Sequence, residues 1–217
     1  HSLDELLSVK KLDGVVVATP SALHAEQVSA VLKSGLPVFC QKPLGRNRDE
    51  VKSILQIAKS YNRLLSIDFS YRYLSSVKII QRLLDENVIG DVFSVKAVFH
   101  NAYGPDKPWF YNPELSGGGC VIDLGIHLVD IVLYLLHFPD VINVSSRLYS
   151  KGRRLRGDRG EVEDFALARL DLAGGICTEI ACSWKLSAGT DAEIGVWFYG
   201  SKGSLCFHNV NGSFYDF

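Results

Sequence analysis

Residues 13–68 alternate short β-branched runs with segments of helical apolar period, and that alternation leaves few folds open. Asp13-Gly14 leads into Val15, Val16, Val17 and Ala18 and stops at Thr19-Pro20, the pattern of a buried strand in a parallel sheet. Ser21 is placed to cap a helix carrying Ala25, Val28, Val31 and Leu32 on one face, with Gly35 to end it. Pro37 to Cys40 reads as a second buried strand and Leu64 to Ile67 as a third. Between them, Arg48 to Tyr61 reads as a helix with Val51, Ile54, Leu55 and Ala58 inward. Strands separated by helices at this spacing make βαβ units with right-handed crossovers.

After about Asp68 the pattern changes. A helix (Val77 to Leu84) and a Gly90-Asp91 turn precede a strand from Val92 to Phe99, and an irregular aromatic stretch follows from Tyr103 to Asn112. Further strands are expected at Val141 to Tyr149, Asp164 to Leu172, Gly175 to Trp184, Glu193 to Tyr199 and Ser204 to Phe207, with hairpin turns at Asp171 to Gly175 and Gly200 to Gly203. Sequential strands joined by tight turns predict a mostly antiparallel sheet with one or two covering helices. Ser150 to Gly160, containing KGRRLRGDRG, reads as a solvated cationic loop. The expected fold class is α/β, with a parallel-sheet domain over residues 1–68 and an α+β domain over 69–217.

The net charge of −1 gives no reason to expect a nucleic-acid partner. The five cysteines (Cys40, Cys120, Cys177, Cys182 and Cys206) are scattered, odd in number and unpaired in motif, which favours a reducing, cytoplasmic setting over a disulfide framework or zinc site. The best membrane candidate, Ile126 to Phe138, is short and carries His127, Asp130 and His137, so no membrane span is expected. No metal is expected either, because His24, His100, His127, His137 and His208 form no HxxxH-type pair. The chain starts at His1, lacks methionine and ends in FYDF, and is expected to be a piece of a longer protein.

The most chemically pointed segment is GGGCVIDLGIHLVD, residues 117–130. On a helix, Asp123 and His127 are one turn apart on one face, a carboxylate beside an imidazole that titrates near neutral pH. The glycines suggest backbone that a ligand can approach closely. A second focus lies at the carboxyl ends of the parallel strands, where open α/β sheets bind ligands. Thr19, Pro20, Ser21 and His24 follow the first strand, and Gln41, Lys42 and Pro43 follow the second.

Taken in order, ATPSALH, an alanine- and valine-rich helix ending at Gly35, VFCQKPLG, GGGCVIDLGIHLVD and the late WFYGSKGSL resemble the Gfo/Idh/MocA family of glucose–fructose oxidoreductase and inositol dehydrogenase. The resemblance implies a partial Rossmann domain binding NAD or NADP, then an α+β domain with a large antiparallel sheet. It implies that Lys42 contacts nicotinamide ribose and substrate, that Asp123 binds substrate and supports proton transfer, and that His127 is the general base. It places Thr19, Pro20, Ser21, His24, Gln41 and Pro43 along the nicotinamide side, and brings Arg72 of FSYRY and Trp109 of PWFYNP toward cofactor or substrate.

The implied reaction moves a hydride between a sugar, cyclitol or polyol hydroxyl and nicotinamide. The same fold also serves as a non-catalytic NAD(P)-binding regulator or an NAD-dependent glycosidase. Gln41 stands where the family carries a glutamate, and the sequence has no GxGxxG, the fingerprint of the adenosine half. The resemblance implies a homo-oligomer, dimer or tetramer, through the large sheet; Ile194, Val196, Trp197, Phe198 and Tyr199 include candidates for that face, the alternate ones reading equally as core.

Overall fold

A computed structural model describes residues 2–9, 11–157 and 160–217. The chain divides into two compact units, one comprising the residues up to Asp68 with Trp109–Gly118, the other Phe69–Pro108 with Gly119–Phe217.

The first unit holds a parallel sheet of β1 (Val15–Val17), β2 (Val38–Cys40) and β3 (Leu65–Ile67), in that order. The crossovers are α2 (Ser21–Lys33) and α3 (Arg48–Ser60), which follow the short α1 (Leu3–Leu7). Val15, Val17, Val38 and Cys40 pack with Val28, Val31, Leu32 and Ile54 to form the core. The strands are not buried on both faces as their composition suggested. Val16 is 69% exposed and Phe39 40% exposed, because both helices' apolar faces join the core built on the alternate residues. Ser21 also differs from its expected role: Pro20 occupies the cap position with extended ψ, its fixed φ suiting that place, and Ser21 is the first helical residue.

The second unit is a seven-stranded sheet. It comprises β4 (Val92–Asn101), β5 (Val141–Ser150), β6 (Arg153–Arg154), β7 (Phe165–Leu172), β8 (Ile176–Ser183), β9 (Ala192–Gly200) and β10 (Gly203–His208), in the order β10-β9-β4-β8-β7-β5-β6. Among the described residues of this sheet, only β4 and β8 pair in parallel. Helix α4 (Ser75–Asp85) packs against β10 and α6 (Ile126–Leu135) against β4, burying Val77, Ile131, Leu135, Val95 and Phe198. The expected loop Ser150 to Gly160 contains β6, where Arg153 and Arg154 pair with β5; Asp158 and Arg159 lie outside the described residues.

Alternation along β9 divides the five candidate residues for an oligomer face between the two sides of the sheet. Ile194, Val196 and Phe198 are core, while Trp197 and Tyr199 turn to the other face. On that outer face the register sets Lys96 opposite Glu179 and Glu179 opposite Arg169, a row of alternating charge across three strands. Pro113–Leu135 is apolar and long enough to match a membrane span by length and composition, unlike the shorter stretch considered from sequence. Its last turns are core: Leu124, Leu128, Ile131, Val132 and Leu135 are all buried. The cysteines are less scattered than in sequence, since Cys120 and Cys182 bring their Sγ atoms to 3.8 Å as free thiols.

Candidate functional site

In the first unit, the strand ends present Thr19 and Gln41-Lys42-Pro43. Thr19 Oγ1 donates to Gln27 Oε1 at 2.7 Å, and Gln41 Nε2 donates to Asp68 Oδ2 at 2.6 Å. Position 41 is a neutral amide, and its partner is a carboxylate at the end of the neighbouring strand. Lys42 is half-buried and precedes a cis peptide bond to Pro43. His24, 1% exposed in the first turns of α2, sets Nδ1 2.7 Å from the Pro43 carbonyl oxygen and Nε2 2.7 Å from that of Thr19. With both ring nitrogens engaged by backbone, His24 braces the two strand-end loops. Ser21 is buried beside it in the sequence, and Trp109 is half-buried with its ring stacked on Phe110 at 3.8 Å.

In the second unit, Asp123 and His127 lie on one continuous helical run, but the turn Val121–Gly125 is π-helical and α6 begins only at Ile126. The Ile126 amide reaches the Val121 carbonyl, five residues back, so the simple α-helical spacing expected for the pair gives way to a wider turn. Such single π turns recur at functional sites. Trp184 Nε1 donates to Asp123 Oδ2 at 3.0 Å. The Tyr71 ring meets His127 edge-on at 5.0 Å, and Phe99 lies 6.3 Å from the same imidazole. Burial, with the neighbouring Tyr215 and the Asp123 charge adding to it, pushes the Tyr71 hydroxyl above its ordinary range, so it stays protonated. The assembly is a carboxylate with a fixed donor, an imidazole and a phenol, set against aromatic walls.

The glycines that lead into this run have a different partner from the one their composition suggested. Gly117 takes φ 85°, and a Cβ on Gly119 would lie 1.9 Å from the Glu163 carbonyl oxygen. At Gly119 the close approach is to this chain's own backbone. Glu163 Oε1 in turn accepts the amides of Gly119 at 2.9 Å and Val121 at 3.0 Å.

Arg72, expected near the cofactor, is committed within its own unit. Its Nε donates to Asp130 Oδ2 at 2.8 Å and its Nη2 to Oδ1, with the guanidinium 5.0 to 5.5 Å from the rings of Phe69, Tyr134 and Phe138. Its neighbour Tyr71 is the residue of that block that reaches His127. Sequence reasoning also missed Asp68, Glu163 and Trp184. Each stands at the end of a strand, the only signal available, and nothing in spacing ties any of them to its partner. Among the described residues, no group of three or more His, Cys, Asp or Glu is arranged to hold a metal.

Residues 1–69 match the oxidoreductase family with an NAD-binding Rossmann fold, and residues 77–206 match the GFO/IDH/MocA C-terminal domain. The chain belongs to the Gfo/Idh/MocA family. D-glucoside 3-dehydrogenase of Escherichia coli K12 is 28% identical to this Gfo/Idh/MocA chain over 207 residues, covering 91% of the chain and 59% of the relative. Inositol 2-dehydrogenase of Rhizobium meliloti 1021 is 24% identical over 209 residues, covering 96% of the chain and 61% of the relative. The chain thus spans less than two thirds of the length of either protein. Among solved structures, GenD2 from gentamicin A biosynthesis, in complex with NAD, superposes with a TM-score of 0.86 at 26% identity, covering 95% of this chain and 57% of that one.

Proposed function

We propose that this protein is an NAD(P)-dependent oxidoreductase that moves a hydride between a hydroxyl-bearing carbon of a sugar, cyclitol or related polyol and nicotinamide. The observation that carries the reading is Asp123, held by the Trp184 indole, on the same helical run as His127 in a chain of this family. The donor set of the first unit fits the nicotinamide-ribose end of such a cofactor. A parallel sheet brings Thr19, Gln41, Lys42 and Asp68 to its carboxyl edge, and a hydroxyl, an amide, an amine and a carboxylate suit ribose hydroxyls. When bound, nicotinamide supplies the hydride acceptor at C4.

The protein's part is orientation and proton movement. His127 takes the substrate hydroxyl proton during oxidation and returns it during reduction, and Asp123 hydrogen-bonds the substrate, while the Lys42 amine is assigned to the nicotinamide ribose. Tyr71, edge-on to His127, closes one side of the imidazole against water. We further propose cytoplasmic action and a homo-oligomer formed through the outer sheet face, where Trp197, Tyr199 and Leu167 lie beside the Lys96–Glu179–Arg169 row.

The test is NADH or NADPH formation by the full-length protein over a panel of sugars and cyclitols, with His127→Ala as control. The variant is expected to lose about 100-fold or more in kcat. Tight cofactor binding with no turnover on any substrate would replace this reading with a regulatory NAD(P)-binding protein or, where a glycosidic leaving group is released without net NADH, a glycosidase.

A further inference from the structure

We infer that Glu163 and Trp184 are positioning residues that hold Asp123 from its two ends, an assignment that rests on the oxidoreductase reading above. Glu163 is 7% exposed, and its carboxylate does not face solvent. One oxygen, Oε1, takes the amides of Gly119 and Val121, and the Glu163 backbone carbonyl takes the amide of Cys120 between them at 2.9 Å. Three consecutive amides at the head of a helical run have no partner within the helix, and all three are met by one residue. A carboxylate is also the favoured charge at that end of a helix.

The hold passes directly to the reactive carboxylate. The Asp123 amide donates to the Gly119 carbonyl at 3.1 Å, so the residue that Glu163 fixes carries the first backbone bond of Asp123. The side chain of Asp123 is fixed separately by Trp184 Nε1. Trp184 is itself tied to the neighbour of Glu163, since its amide donates to the Asp164 carbonyl at 2.7 Å. Residues 163–164 at the head of β7 and residue 184 past the end of β8 therefore form one clamp. Gly119 is the residue that lets the clamp close, because any side chain there would occupy the Glu163 carbonyl.

The π turn explains why a clamp is placed here. A five-residue turn is less stable than an α-helical one, and Val121–Gly125 carries Asp123 at its centre. External bonds at both ends fix the conformation that the turn alone would hold poorly.

The experiment uses the full-length protein and compares Glu163→Ala, Glu163→Gln and Trp184→Phe by steady-state kinetics and by amide hydrogen exchange over residues 119–127. Gln keeps an oxygen in the place of Oε1, and Phe keeps one aromatic ring while removing the indole donor together with its five-membered ring. Glu163→Ala is expected to speed exchange across the segment and to lower kcat by about 10- to 100-fold with the KM for cofactor unchanged. Glu163→Gln is expected to restore both to within about threefold of wild type, and Trp184→Phe to lower kcat by about tenfold without speeding exchange at Gly119 and Val121. Faster exchange with unchanged kcat in Glu163→Ala would overturn the positioning role. If that variant does not fold, Trp184→Phe decides, and an unchanged kcat there overturns the assignment. Failure of the underlying oxidoreductase reading is separate and visible at once, as absence of turnover by the wild type.

Discussion

In each unit a buried polar side chain ties down backbone beside the candidate residues, and the two side chains work in opposite senses. In the parallel-sheet unit His24 sets both ring nitrogens against carbonyl oxygens, those of Thr19 and Pro43. In the large-sheet unit Glu163 sets one oxygen against two amides, those of Gly119 and Val121. The choice of residue follows from which backbone groups are left over. Loops leaving the ends of parallel strands expose carbonyls, which need a donor. A helical run beginning at Cys120 exposes amides, which need an acceptor. Type of side chain is thus dictated by the backbone end being tied, and the consequence of losing it should follow the unit in which it sits.

The sharpest break in that comparison comes from Gly119→Ala. With a Cβ 1.9 Å from the Glu163 carbonyl oxygen, backbone meets backbone and neither can rotate away. We expect a loss of about 3 kcal/mol or more, read as the shift in urea midpoint, or failure to fold. His24→Phe is expected to cost less, about 1–3 kcal/mol, because it removes the ring nitrogens that meet the Thr19 and Pro43 carbonyls, and carbonyls tolerate the loss of a partner better than amides. Its kinetic signature should be the reverse of Glu163→Ala: the KM for NAD(P) rises by about tenfold while kcat at saturating cofactor is kept. Equal damage to kcat from both variants would mean that the two braces do not serve separate halves of the reaction.

A smaller effect distinguishes a buried histidine that only fills the large sheet. His100 is buried, its ring is stacked on Phe165 at 6.0 Å, and its Nδ1 lies 2.7 Å from Ser183 Oγ. Burial holds its pKa below the usual histidine value, with Lys96 adding to the effect and Glu193 opposing it. Below about pH 6.5 the unfolded chain therefore binds more protons at this position than the folded one, so stability falls as pH drops and is complete above that value. We expect the wild-type melting temperature to decline between about pH 7 and about pH 5, and His100→Phe to flatten part of that decline. An identical slope in the variant would assign the acid sensitivity elsewhere.

The parallel strands, their helices and the run of later strands were legible because apolar period is a local property that survives whatever packs against it. Thr19, Lys42, Asp123 and His127 were legible as strand-end and helix residues whose types suit the chemistry. What stayed hidden was pairing over distance. Nothing near position 163 announces that its carboxylate caps residues more than forty positions earlier, and the same holds for Trp184 with Asp123 and Gln41 with Asp68. The acid partner of Arg72, Asp130, lies 58 residues away, and nothing in the FSYRY block points to it. The π turn was also out of reach, since in a run as apolar as residues 117–135 the phase shift from one extra residue falls on positions that are apolar in either register.

The smallest predicted effect tests a misreading of the parallel sheet. A run of three valines looks like a strand buried on both faces, yet Val16 is 69% exposed between Val15 and Val17, which are both core. Val16→Thr keeps the β-branched shape and places a hydroxyl in water, so the unfolding free energy from urea titration should move by no more than about 0.5 kcal/mol. Val17→Thr makes the same chemical change on the inward face, where the hydroxyl has no solvent to bond, and should cost about 1–3 kcal/mol. The ratio between these two variants measures how one-sided the sheet is in solution. If Val16→Thr costs as much as Val17→Thr, the outward face is covered in the working protein, and the strand's uniform composition is explained by burial on both sides after all.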